Sequence, residues 1–161
     1  MFTHVLRFTA PFVLSGFIAS AGLADCSPTT AELRGPWGQA QFQIEIADTN
    51  ESRAQGLMHR TEMPRMSGML FLYDSPRPMA FWMRNTLIPL DLLFIAPNGE
   101  VLAIHERAKP LDETHIPGPD GSIAVLEING GMAETLGIKA GSQIRHSFFD
   151  QFSTSWPCNA S

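Results

Sequence analysis

A succession of short apolar segments, each bounded by turn-forming residues, predicts an all-β fold. In the first segment Phe42, Ile44 and Ile46 alternate with polar residues, which is the pattern of a half-buried strand. Pro97-Asn98-Gly99 is a typical hairpin turn. Short strands at regular spacing, with two short helices at residues 53–58 and 131–136, favour a small β-sandwich or a closed barrel. The other predicted strands cover residues 68–73, 79–83, 90–96, 100–107, 123–128 and 143–149.

Residues 1–24 are predicted to form a secretory signal peptide. Arg7 precedes a largely apolar stretch, residues 8–23, and small residues lead up to Ala24. A charged start, an apolar middle and a small-residue exit are typical of such a peptide. Because Pro11 breaks the stretch and its length falls short of the roughly 20 residues of a spanning helix, we expect cleavage after Ala24 and no transmembrane anchor afterwards. The mature protein is therefore expected to be periplasmic or secreted.

The rest of the chain is expected to contain one domain. Pro28, Gly35 and Pro36 oppose regular structure, so residues 25–38 are interpreted as a lead-in segment. Residues 39–149 form the predicted β domain, and residues 150–161 form a C-terminal tail.

The two cysteines, Cys26 and Cys158, lie near the two ends of the mature chain. In an oxidising compartment such a pair forms a disulfide more often than a metal site or a nucleophile. We therefore predict a Cys26–Cys158 bridge that encloses nearly the whole domain. The run Leu23-Ala24-Asp25-Cys26 also resembles a lipid-attachment box, although Asp25 stands where a small residue is usual. A lipidated Cys26 could not form the bridge.

The charge balance argues against a nucleic-acid partner. The chain has 11 Lys and Arg against 16 Asp and Glu, a formal net charge of −5, and these charges are scattered rather than gathered into a basic stripe. No phosphate-binding loop, nucleophile elbow or zinc-protease motif is present, and the histidines lack metal-ligand spacing. We therefore predict no cofactor and no metal site of these kinds.

The run Phe81-Trp82-Met83-Arg84-Asn85-Thr86 leads to Pro89-Leu90-Asp91 and concentrates aromatic and polar residues beside a lone carboxylate. Asp91 lies within an apolar run, where an unpaired charge would be costly to bury. The carboxylate is therefore expected to have a partner, and Arg84 and Asn85 are the nearest candidates.

A second carboxylate, Glu127, also lies within an apolar strand, and strict alternation places it on the face of Ile123 and Val125. Asp91 and Glu127 could act as acid and base, so a hydrolase is one alternative to binding without turnover. The same carboxylates could instead form buried structural ion pairs with arginines such as Arg53. The candidate ligand-binding residues are Arg53, Arg60, Trp82, Arg84, Asn85, Asp91 and Glu127.

Alternation also separates Phe81 and Met83 from Trp82 and Arg84, so both aromatic side chains cannot face the core of a regular strand. An exposed Trp82 beside Arg84 could stack on a sugar ring or an aromatic ligand. If both faces of the sheet are covered at this point, Trp82 belongs to the core instead.

Methionines are dense between Met58 and Met69, and His59 lies among them. Thioethers are soft ligands that suit Cu(I), so Cu(I) binding in the periplasm through this cluster is a further alternative. Methionine also serves as a flexible core filler. Met63 and Met66, in a loop-like segment, are the two expected to be free to coordinate.

Three segments together carry a family resemblance: Arg53-Ala54-Gln55-Gly56-Leu57-Met58-His59-Arg60, Gly68-Met69-Leu70-Phe71 and residues 81–91. They resemble the family called domain of unknown function 192, over about residues 39–147. The resemblance implies a jelly-roll-like β-sandwich and a functional surface on residues 53–60 and 81–91, but no activity. Many members have lysine where this chain has Arg84, which alters geometry at constant charge. The leading hypothesis is an exported β domain that binds an unknown small molecule or envelope component without turning it over.

Overall fold

The computed structural model describes residues 26–158, so the predicted signal peptide lies outside the described residues. Most of the regular structure in this part of the chain is β, as predicted. The elements are β1 (Thr30–Gly35), β2 (Gly38–Ala47), α1 (Asn50–Gln55), β3 (Ser67–Leu72), β4 (Ala80–Phe81), β5 (Leu90–Ile95), β6 (Val101–Ala108), β7 (Ile116–Pro117), β8 (Ala124–Asn129), α2 (Met132–Leu136), β9 (Gln143–Arg145) and a 3₁₀ helix (Ser147–Gln151).

The main sheet has seven strands in the order β6-β5-β8-β3-β2-β1-β9, and β4 pairs with β7 in a separate two-stranded sheet. Only β2 and β3 pair in parallel in the main sheet. The sheet curls, because a β-bridge between Glu100 and Gln143 brings the start of β6 next to β9, the strand at the opposite edge. The mostly β fold with two short helices is therefore confirmed, whereas a full sandwich or closed barrel stays a prediction.

The central strands β5 and β8 are buried on both faces. In β5, Leu93 and Ile95 belong to one apolar cluster, while Leu92 and Phe94 belong to another. Every residue of β5 is buried. The apolar cluster that contains Leu93 is called the first cluster, and it also includes Leu33, Phe42, Leu70, Leu126 and Phe149. The apolar cluster that contains Leu92 and Phe94 is called the second cluster, and it also includes Leu57, Phe71, Met83 and Val125. The second cluster is the one that supports the candidate site.

The helix α1 begins with a capping box. The Ser52 main-chain N–H donates to Thr49 Oγ1 at 3.0 Å, and the Thr49 N–H donates to Ser52 Oγ at 3.0 Å. This reciprocal pair satisfies N–H groups that an uncapped helix start would leave open. The helix ends at Gly56, whose φ of 49° favours glycine and whose missing side chain leaves space for the Phe71 ring. Neither helix of the described segment has the length and apolar character that a membrane crossing requires.

Several predicted elements differ in extent. The segment interpreted as a lead-in contains β1, because Ala31 and Leu33 alternate with polar residues and are fully buried, and Pro28 and Pro36 flank this strand instead of interrupting it. The strand predicted for residues 79–83 is reduced to β4, and the strand predicted for residues 143–149 ends at Arg145, where the 3₁₀ helix follows.

The two ends of the described segment meet. Cys26 and Cys158 are joined by a disulfide with a Cα–Cα distance of 5.3 Å, so the predicted pairing is present in the structure. In this bridge the Cys26 sulfur is not available for lipid attachment. Near the C-terminus the guanidinium carbons of Arg34 and Arg145 lie 4.3 and 5.0 Å from the Trp156 ring centroid. These contacts pack part of the predicted tail against the sheet.

Candidate functional site

Asp91 is a structural carboxylate. It is fully buried, and its Oδ1 accepts hydrogen bonds from the main-chain N–H groups of Arg107 at 2.7 Å and Gly131 at 2.8 Å. Its Oδ2 accepts from the Ala133 N–H at 2.8 Å. Hydrogen bonds of this kind stabilise a buried carboxylate without a counter-ion. Asp91 therefore joins β5 to the end of β6 and to the start of α2.

The expected partners of Asp91 were wrong. Neither Arg84 nor Asn85 hydrogen-bonds to the carboxylate, and the Asp91 side chain forms no ion pair among residues 26–158. The reason is the register of β5 against β8, which sets Asp91 opposite Ile128 and thus beside the turn that leads into α2.

The same register separates the two candidate acid–base residues. Glu127 pairs with Leu92, whereas Asp91 pairs with Ile128. Because paired residues of antiparallel strands share a face and successive residues alternate, Asp91 and Glu127 lie on opposite faces of the sheet. The two carboxyl groups therefore do not form the acid–base pair of the hydrolase alternative.

Glu127 lies on the face of the second cluster and lines a pocket beside α1. The residue is buried, and burial raises the pKa of its carboxyl to about 8. The carboxyl is thus protonated at neutral pH and can both donate and accept a hydrogen bond. No side-chain hydrogen bond or ion pair involving Glu127 occurs within residues 26–158, which also rules out a Glu127–arginine pair there.

The pocket lies between α1, the end of β3 and the β4 segment. Its apolar wall comes from Leu57 and the rings of Phe71 and Phe81, which meet edge to face with centroids 5.3 Å apart. The polar side chains of the lining are those of Arg53, Gln55, Tyr73, Trp82, Thr86 and Glu127. The complete lining is Arg53, Ala54, Gln55, Gly56, Leu57, Met58, Phe71, Tyr73, Ala80, Phe81, Trp82, Thr86 and Glu127.

A second, more open pocket adjoins the first and shares four of its residues, Arg53, Ala54, Tyr73 and Ala80. It extends along α1 to Asn50 and Arg77. We call the two pockets together the α1 groove. The accessible lining of both pockets is more polar than apolar, so a ligand in the groove would make polar contacts as well as apolar ones.

Arg53 is held in place at the centre of the α1 groove. Its Nη1 donates to the main-chain oxygens of Asp48 and Leu72, both at 2.7 Å, and its Nη2 donates to Asn50 Oδ1 at 2.9 Å. The guanidinium carbon lies 4.8 Å from the centroid of the Tyr73 ring. Arg53 is therefore positioned by neutral groups, and its charge has no acidic partner within 4 Å in the described segment.

The alternation predicted for the β4 segment is confirmed. Phe81 and Met83 pack into the second cluster, while Trp82 is 41% exposed and Arg84 is exposed. The Arg84 guanidinium carbon lies 5.5 Å from the Trp82 ring centroid. Trp82 thus forms a partly exposed aromatic rim of the pocket, which a pure core role does not explain.

The other predicted site residues lie outside the pocket. Arg60 forms a two-pronged ion pair with Glu45 on an exposed part of β2, with Nη2 2.7 Å from Oε2. Arg84 is exposed next to Trp82 without lining the pocket, and Asn85 accepts the His59 N–H through its main-chain oxygen at 2.8 Å. The structure therefore brings together Arg53, Trp82 and Glu127 and leaves the remaining candidates elsewhere.

Strained backbone lies next to the pocket. His59, Asn85 and Leu111 have φ values of 64°, 54° and 63°, a region that side-chain-bearing residues rarely adopt. They are linked: the His59 N–H donates to Asn85 O, and the Leu111 N–H donates to Thr86 O at 3.1 Å. Backbone held in such conformations is concentrated at functional sites in proteins. Here it fixes the segment that presents Thr86 to the pocket.

The methionine cluster is divided between the two faces of the sheet. Met66 packs against the first cluster, whereas Met63 packs against the second, to which Met69 belongs. Met63 and Met66 are thus not free ligands on a shared surface, contrary to expectation. Among residues 26–158, no group of three or more His, Cys, Asp and Glu side chains is placed to hold a metal ion.

Sequence reasoning missed Tyr73 and Arg77. Tyr73 follows β3 and is half-buried in both pockets, and the Arg77 main-chain N–H donates to Ser122 O at 3.1 Å, which fixes its segment. The signal for Tyr73 was alternation, because it has the same parity as Met69 and Phe71. Arg77 stands between two prolines and offered no comparable signal.

Comparison with known proteins identifies a family without an activity. The model of the DUF192 family, described as uncharacterised, matches residues 33–146. A protein of unknown function from Novosphingobium aromaticivorans is 44% identical with a TM-score of 0.70, over 71% of this chain and 82% of that one. A protein from Sinorhizobium meliloti, called a putative transcription regulator, is 36% identical with a TM-score of 0.71, over 75% of this chain and 95% of that one. No curated protein matches the chain. The family match covers most of the described domain, and the chain belongs to the DUF192 family.

Proposed function

We propose that this protein is an exported protein that binds a small molecule, or a small part of an envelope component, in the α1 groove without turning it over. The observation that carries the proposal is the Glu127 carboxyl. It is buried, neutral at pH 7 and without a hydrogen-bonding side-chain partner in the described segment, yet it lines a pocket. Its oxygens are accessible from the pocket, since Arg145 Nε is the only fully buried side-chain polar atom without a partner among residues 26–158, and a ligand or water in the pocket can therefore satisfy them.

The surroundings of Glu127 support binding rather than catalysis. Arg53 is fixed by three hydrogen bonds, and Trp82 offers an aromatic face at the rim. A hydrolase needs a second titrating group near the first, and Asp91 faces the opposite side of the sheet. The groove thus has the parts for recognition and lacks the predicted acid–base pair.

Export is supported by two features of the chain. Residues 1–24 have the pattern of a signal peptide, and Cys26 and Cys158 form a disulfide, which persists mainly in oxidising compartments. A fusion of residues 1–30 to a reporter that is active only outside the cytoplasm tests export directly. Loss of reporter activity on Arg7→Glu would support a signal peptide, whereas a cytoplasmic full-length protein would contradict it.

Two finer points belong to the same proposal. The curled sheet and its Glu100–Gln143 bridge favour a closed barrel or a jelly-roll-like sandwich.

Nucleic acid is not the proposed ligand, because the formal net charge is −5 and the cations are scattered. The regulator name of the Sinorhizobium meliloti protein is therefore not extended to this chain.

The binding proposal is tested by thermal unfolding of the mature protein, residues 25–161, in the presence of a library of metabolites, sugars and metal ions. Hits are repeated with Ala54→Phe, which places a ring in the groove from the exposed side of α1. The matched control is Ala140→Phe, an equally exposed alanine that lines a different pocket beside Trp37.

The proposal predicts at least one compound that raises the unfolding temperature of the parent and of Ala140→Phe but not of Ala54→Phe. Compounds that stabilise all three proteins equally would place binding elsewhere. If no compound changes the unfolding temperature of the parent, the groove is not a small-molecule site for any class in the library.

A further inference from the structure

The arginines of this chain fall into two groups. Arg60, Arg107 and Arg145 form ion pairs with Glu45, Glu134 and Glu32. The other described arginines, Arg34, Arg53, Arg65, Arg77 and Arg84, form none among residues 26–158, although the chain as a whole is acidic. Of these five, Arg53 and Arg77 line the α1 groove. An arginine charge without a carboxylate partner is available to an anionic ligand.

The two guanidinium groups converge on one side chain. Their carbons lie 4.8 Å (Arg53) and 5.5 Å (Arg77) from the centroid of the Tyr73 ring. Arg53 uses three of its five N–H donors on protein oxygens, which leaves two donors, and Arg77 makes no side-chain hydrogen bond in the described segment. A planar acceptor at this place could therefore receive hydrogen bonds from a pre-oriented arginine.

The inner part of the groove has the opposite character. Leu57, Phe71 and Phe81 are apolar, and the Glu127 carboxyl between them is protonated at neutral pH. A neutral carboxyl does not repel an anion, and it can donate one hydrogen bond to a ligand oxygen. The groove thus joins an inner recess that has one apolar wall to a cationic mouth.

Resting on the proposed function, we propose that the ligand of the α1 groove is a small organic carboxylate with an apolar or aromatic body. The carboxylate lies at the mouth, between Arg53 and Arg77, and the body lies in the recess against Phe71 and beside Trp82.

The test compares matched acids and amides. The probes are 3-phenylpropionate, indole-3-acetate and octanoate, each paired with its primary amide, titrated into mature protein at pH 6.5 and monitored by calorimetry. We expect at least one acid to bind at least about tenfold more tightly than its amide, as charge-assisted hydrogen bonds predict. High salt should reduce this preference.

The decisive variant is Arg77→Gln, since Arg77 is exposed and its loss should leave the fold intact. We expect Arg77→Gln to reduce the acid-to-amide preference by about tenfold. Arg65→Gln removes another exposed arginine that lies outside the groove, and it should leave the preference unchanged. Unfolding temperatures of both variants establish that the fold is retained.

Three outcomes would overturn the inference: amides that bind as well as acids, a preference that survives Arg77→Gln, or no binding of any acid of the panel. None of these three outcomes decides whether the α1 groove binds a small molecule of another class. A neutral or cationic compound from the library whose binding is abolished by Ala54→Phe would retain the groove as a site and reject a carboxylate as its ligand. Failure of the library screen itself would reject both.

Discussion

The Asp91 carboxylate caps the helix α2 by accepting the main-chain N–H of Ala133, 42 residues later in the chain, at 2.8 Å. The residue at the capping position of α2 is Gly131, which has no side chain to do this. A side chain from a neighbouring strand therefore replaces the local cap and adds a negative charge at the helix N-terminus, where it is favourable.

Replacement of Asp91 should destabilise the fold strongly. Asp91→Ala leaves three main-chain N–H groups without an acceptor, two of them buried and that of Arg107 partly buried, so we expect the free energy of unfolding to fall by about 3 kcal/mol or more. Asp91→Asn, which keeps one acceptor oxygen, should lose less. Denaturant unfolding measures both, with the exposed Asp120→Asn as control. A loss below about 1 kcal/mol for Asp91→Ala would contradict this role.

Replacement of Glu127 should change how stability depends on pH. Burial raises the pKa of Glu127 to about 8 from its ordinary value of 4.5. Between these pH values the unfolded chain releases the proton and the folded protein retains it, so this group makes the free energy of unfolding fall as pH rises. Glu127→Gln mimics the protonated form and does not titrate. At pH 8 the variant should be more stable than the parent by a few kcal/mol.

The measurement for Glu127 is the difference in unfolding free energy between variant and parent at pH 4.5, 6 and 8. The difference should grow steadily with pH, and the exposed Glu113→Gln should show no such growth. A difference that stays constant over this interval would mean that Glu127 is ionised in the folded protein.

His146 should contribute a loss of stability in acid. Burial lowers the pKa of its imidazole below 6.5. Its Nδ1 accepts the Phe148 N–H at 3.1 Å, so the proton lies on Nε2 and is donated to Pro28 O at 3.1 Å. Below pH 6.5 the unfolded chain binds a proton that the folded protein excludes, and the free energy of unfolding falls as pH falls.

His146→Gln, which does not titrate, should show a smaller loss of stability than the parent between pH 7.5 and pH 5. The exposed His105→Gln serves as control. Equal losses in parent and His146→Gln would show that His146 titrates alike in the folded and unfolded protein.

Leu111→Gly should stabilise the protein. Leu111 has a φ of 63° and is 59% exposed, so glycine removes backbone strain and little packing. The strain relieved, about 1–2 kcal/mol, exceeds the entropy that glycine loses on folding, about 0.5–1 kcal/mol. Leu87→Gly is the matched control: Leu87 is 43% exposed and has no left-handed backbone, so its replacement should destabilise. Thermal unfolding that shows both variants destabilised alike would contradict the argument from strain.

Short-range pattern predicted much of the fold. Alternation placed Phe81 and Met83 inside and Trp82 and Arg84 outside, and the turn signal at residues 97–99 placed the hairpin between β5 and β6. The sequence pattern did not identify β1, because the flanking prolines obscured the alternation of Ala31 and Leu33. Alternation of apolar and polar residues predicts a strand correctly where one face of that strand is consistently buried.

The candidate site was predicted less well, because its contacts are distant in the sequence. The donors to Asp91 lie 16, 40 and 42 residues away and are main-chain groups, which no residue type identifies. Glu127 was identified because an acidic residue in an apolar strand needs explanation. Tyr73 and Arg77 were missed because only the folding of α1 over the end of β3 brings them beside Arg53.

The Cys26–Cys158 disulfide makes the described segment a closed covalent ring. A protease that cuts one exposed loop inside the ring does not separate the fragments, since they remain linked through the two sulfur atoms. Nicked protein would keep its mass until a reductant is added, and the fragments could stay folded together. For a protein outside the cytoplasm, this linkage would mean that a single proteolytic cut need not inactivate it.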